Sequence, residues 1–154
     1  MFPCQPDIMM QDIDLFDLFN RKIIEFAKDL IYIFPSMNDF KIFLDSCVWS
    51  AAIDKAAPQA LFEHLVVKPF GEKILHRDES FFLYESYNDY NEYMQHYGHD
   101  LNLIHKLKGI WKNLDDENKG MIWKYMQVLL VLSQKCCGKS LDELDSSIFV
   151  HNRA

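Results

Sequence analysis

The side chains best suited to chemistry lie in four groups. His96, His99 and His105 fall within ten residues of one another and bracket Asp100. Two histidines three apart plus a third ligand could hold zinc, but zinc needs three or four ligands at set distances, and neither a helical HExxH nor a CxxC pair is present. These histidines read as solvent-facing or capping groups. Cys47 with a histidine could form a thiol nucleophile and its base; its place on an apolar helical stripe instead makes it a buried, inert thiol. The adjacent acids Asp78 and Glu79, and Asp115 and Asp116, could serve as acid–base pairs. Both pairs stand at expected helix starts, where carboxylates satisfy free backbone N–H groups, so capping is the expected role. The sequence contains no GxxxxGK[ST], GxGxxG or GxSxG. No catalytic residue, cofactor or metal ligand is therefore assigned.

Binding chemistry is the better-supported alternative. Tyr84, Tyr87, Tyr90, Tyr93 and Tyr97 recur every three residues, then four, among Glu85, Asp89 and Glu92. On a helix each step of three drifts by about 60°, so the first four cannot all face one core, and some rings should meet solvent. Tyrosine offers rigid apolar area with a hydroxyl, which suits a protein interface, while the interleaved acids oppose a nucleic-acid stacking platform. The five tyrosines are the candidate partner-binding residues, the alternative being a tyrosine-lined loop packed back on the bundle. Lys106, Lys108, Lys112, Lys119 and Lys124 point in different helical directions and are interrupted by acids, and are expected to form a solvated face.

The elements that must position these groups are helices. Half of the 154 residues (49%) are apolar, enough for a core, while Gly and Pro together number 10 and threonine is missing, which removes the usual material of sheets and their turns. The periodicity predicts a long amphipathic helix from Asp12 to Phe34, ended by Pro35, and a second from about Met37 to Lys55 behind a Ser36 and Asp39 capping box. The inner stripe of this second helix is Phe40, Phe43, Leu44, Cys47 and Ala51. Pro58 suits the first turn of a third helix, which Pro69 should break or restart. Asp78 can cap a short helix through Phe81, Phe82 and Leu83, and a further stripe runs from Leu103 to Leu114. Asp115 is placed to cap a final helix, Asp116 to about Cys136, with Gly138 beyond its end. Trp123 and Leu129 fall on different sides of that helix, which should be enclosed at the centre of the fold. The expectation is one all-α domain over residues 1–154, a bundle of five to seven helices, with residues 1–11 and 146–154 as frayed tails.

The stretches KPFGEKIL (Lys68 to Leu75), DESFF (Asp78 to Phe82) and IWKNLDDENKGMIWKYMQVLLVLSQK (Ile110 to Lys135) resemble a group of small uncharacterised helical proteins encoded by large nucleocytoplasmic DNA viruses. That resemblance implies a protein of the host cytoplasm or the virion, and brings no active-site residues with it. The net charge of −7 opposes general nucleic-acid binding. Met1 to Gln11 lack the pattern of a secretory signal, and Cys4, Cys47, Cys136 and Cys137 do not suggest a disulfide framework, so free thiols in a reducing, cytoplasmic compartment are expected. The apolar run around Val128 to Leu132 is too short to insert across a membrane. Together these features point to a non-enzymatic interaction or assembly protein that binds a protein partner or itself. A regulatory nucleic-acid-associated protein and an enzyme of unrecognised chemistry are the competing readings.

Overall fold

Asp14 accepts hydrogen bonds from the backbone N–H groups of Phe16 and Asp17 and so opens the first helix, α1 (Leu15–Ile33). This is the first element in the computed structural model, which describes residues 14–83 and 103–138; the expected tails lie outside them. After Pro35 the chain reverses into α2 (Asn38–Ile53). Here the expected capping box is corrected. Met37 occupies the N-cap without a side-chain bond, because the helix begins one residue later than the box requires, leaving Ser36 in the turn.

The third helix restarts at Pro69, as expected, but by way of a π-helical turn. Helix α3 (Ala57–Phe62) carries Pro58 in its first turn and passes directly into a π-helical turn, Glu63–Val67, and then α4 (Lys68–Leu75). Pro69 stands in the first turn of α4, where the α-helix resumes. It lacks an N–H and would press on the carbonyl four residues earlier; the wide turn just before it, in which the Lys68 N–H reaches the Glu63 carbonyl, makes room for the ring. Helix α4 stops at Arg77, a non-glycine residue at φ 53°. The Asp78 N–H bonds the Lys73 carbonyl and the Arg77 N–H bonds the Ile74 carbonyl, closing a Schellman-type end. Asp78 then caps α5 (Ser80–Leu83) through the Ser80 N–H, as expected.

Helix α6 (Leu103–Trp111) leads to α7 (Asp116–Cys136), which Asp115 caps through the Asn118 N–H. Gly138, at φ 77°, follows its last turn in the left-handed conformation that favours glycine. All elements among the described residues are helical, and they share one apolar core. Helix α7 packs against α1, α3 and α4, and α2 packs against α1, α3 and α6. On α7, Ile122, Trp123, Met126, Leu129, Leu130 and Leu132 are all buried, so the helix is enclosed as its apolar residues demand. Gln127 of α7 donates to the carbonyls of Ile74 and Leu75, satisfying acceptors that the end of α4 leaves open. No described helix is long and apolar enough to cross a membrane.

Candidate functional site

Helix α2 carries more apolar residues than one core stripe can absorb. Phe40, Phe43 and Cys47 turn inward and are at most 1% exposed. At 100° per residue, Val48, Trp49, Ala52 and Ile53 fall on the opposite side, and all four are exposed. Trp49 is 68% and Ile53 78% open to solvent, with Val48 at 47%. Scattered exposed apolar residues are ordinary, but a contiguous stripe that includes a tryptophan is the usual mark of an interaction surface. Lys41 and Asp45 extend this face toward the start of the helix, and Lys55 lies just past its end. Lys55 is anchored by an ion pair with Asp14, whose carboxyl is held below the ordinary range chiefly by that lysine.

The expected site residues are distributed differently. Tyr84, Tyr87, Tyr90, Tyr93 and Tyr97 lie outside the described residues, as do His96, His99 and Asp100. His105 is exposed on α6, and among the described residues no group of three or more His, Cys, Asp or Glu could hold a metal ion. Cys47 is buried, and desolvation pushes its thiol up to about 12. It borders an apolar void of only about 10 Å³, too small for a substrate. Cys136 is pushed up to about 11 by burial; Cys47, Cys136 and Cys137 are all free thiols.

Two expectations about charged groups are corrected. Glu79 does not cap a helix. Its carboxylate instead accepts from Trp111 Nε1 at 2.7 Å and Lys119 Nζ at 3.2 Å, and these bonds, Trp111 first, hold its pKa below the ordinary value. The five lysines do not form one solvated face. Lys106 is only 8% exposed on α6, so it does not belong to a solvated face. Lys119 is drawn to Glu79 and stands 5.5 Å from the centre of the Trp111 ring.

Two polar clusters have no counterpart among the expected sites. At the π-helical turn, the Glu63 carboxylate accepts from Ser133 Oγ at 3.1 Å and Gln134 Nε2 at 3.2 Å, while Gln59 Nε2 donates to Ser133 Oγ at 2.9 Å. Ser133, Gln134 and Gln59 are buried, and the cluster fixes α3 against the last turns of α7. Between α1 and α7, an open groove of about 380 Å³ is lined by Lys22, Glu25, Asp29, Lys124 and Tyr125, among others. There the Tyr125 hydroxyl bonds Asp29 and lies 3.1 Å from Glu25, and its ring stacks on Phe26. Burial and the two carboxylates keep that hydroxyl protonated well above its usual range, so it acts as a clasp between helices and not as a base. In the first cluster the Glu63 carboxylate also accepts from the exposed Cys137 thiol at 4.0 Å, and Gln59 Nε2 donates to that sulfur at 3.4 Å, while the Ser133 hydroxyl on the same carboxylate is fully buried.

Compared with known protein families, curated proteins and solved structures, the chain matches none.

Proposed function

We propose that the protein is a non-enzymatic interaction or assembly module that docks through the outer face of α2. The observation that carries this reading is the exposure of Trp49 and Ile53 beside Val48 on a helix whose other side is fully packed. Supporting it, the buried or hydrogen-bonded polar groups join helix to helix: Glu79 joins Trp111 and Lys119, and Glu63 joins Ser133 and Gln134. The tyrosine segment, Tyr84 to Tyr97, is retained as a second contact region on the sequence argument alone. The resemblance to helical proteins of large DNA viruses supplies the companion proposal, a viral accessory or virion-associated role in the host cytoplasm.

The test is site-specific photo-crosslinking with the full chain in the cells that make it. A photoreactive residue replaces Ile53, or Glu117, which is also exposed but lies at the start of α7. A discrete adduct from position 53 and none from 117 is the expected result. No adduct from position 53, or an identical smear from both, would overturn the assignment of this face.

A further inference from the structure

We draw no further inference here: the strongest candidate, the exposed apolar patch of Val48, Trp49, Ala52 and Ile53 on the outer face of α2, belongs to the site already described, and nothing in the structure shows what covers it.

Discussion

Helices α7 and α2 face the same problem and meet it differently. Each carries apolar side chains on more of its circumference than one neighbour can cover. In α7 the surplus is enclosed: Trp123 and Leu130 are buried along with the main stripe, and Val128, at 37%, is its sole exposed apolar residue. In α2 the surplus stays outside, with Trp49 and Ile53 largely open to water. The difference is one of neighbours. Helix α7 is contacted by α1, α3 and α4, whereas Phe43 and Cys47 of α2 line a common void with residues of α1, α3 and α6, and Trp49 and Ile53 are left uncovered. An apolar surplus on a helix is thus core where the fold supplies a third wall. Where it does not, the surplus stays on the surface, as Trp49 and Ile53 do.

Truncation should separate the two helices sharply. Trp123→Ala and Leu129→Ala remove fully covered side chains and should each cost about 2–5 kcal/mol, read by denaturant or thermal unfolding. Trp123 also closes an aromatic cluster, lying edge-on to Trp111 at 5.2 Å between centroids while Phe82 stacks on Trp111 at 4.2 Å. Variants that melt with the wild type would show that α7 is not the enclosed helix and would erase the contrast with α2.

Much of this contrast was legible in the sequence, and the rest was hidden for identifiable reasons. The α7 boundaries, the Asp115 cap and the burial of both Trp123 and Leu129 follow from periodicity and local capping chemistry, which act within a few residues. The inner stripe of α2 was equally plain. Its outer face was present as a signal, because Val48, Trp49 and Ile53 fall off that stripe, but whether an off-stripe residue is covered depends on helices distant in sequence. The same applies to the polar groups. Glu79 reads as a cap because it follows Asp78, yet its partners Trp111 and Lys119 are 32 and 40 residues away. The union of Gln59 and Glu63 with Ser133 depends on the π-helical turn, which no local pattern announced beyond Pro69.

A smaller effect tests how the helices flanking the core are held. Glu79, Asp78, Asp14 and Glu25 all have folded-state pKa values below their ordinary ones. A lowered carboxyl pKa means that the unfolded chain binds more protons in the window between the two values. The stabilisation is therefore complete above the ordinary carboxylate range and is lost as pH falls through the folded values. Melting temperature should be flat from about pH 6 to 7 and fall below about pH 4.5. Glu79→Gln should lower the neutral-pH plateau by about 1 kcal/mol or less, since its carboxylate is part-exposed and the amide can still accept from Trp111, and should make the acid limb shallower. An acid limb identical to that of the wild type would remove Glu79 from the account.

The central claim, that the outer face of α2 binds while the whole of α7 folds, is tested most directly by Trp49→Ser, with melting and crosslinking from position 53 both measured on the variant. Trp49 is exposed, so the account predicts a stability change within about 0.5 kcal/mol together with loss of the adduct formed from position 53. A drop of several kcal/mol, or unchanged crosslinking from position 53 by a stable variant, would contradict it.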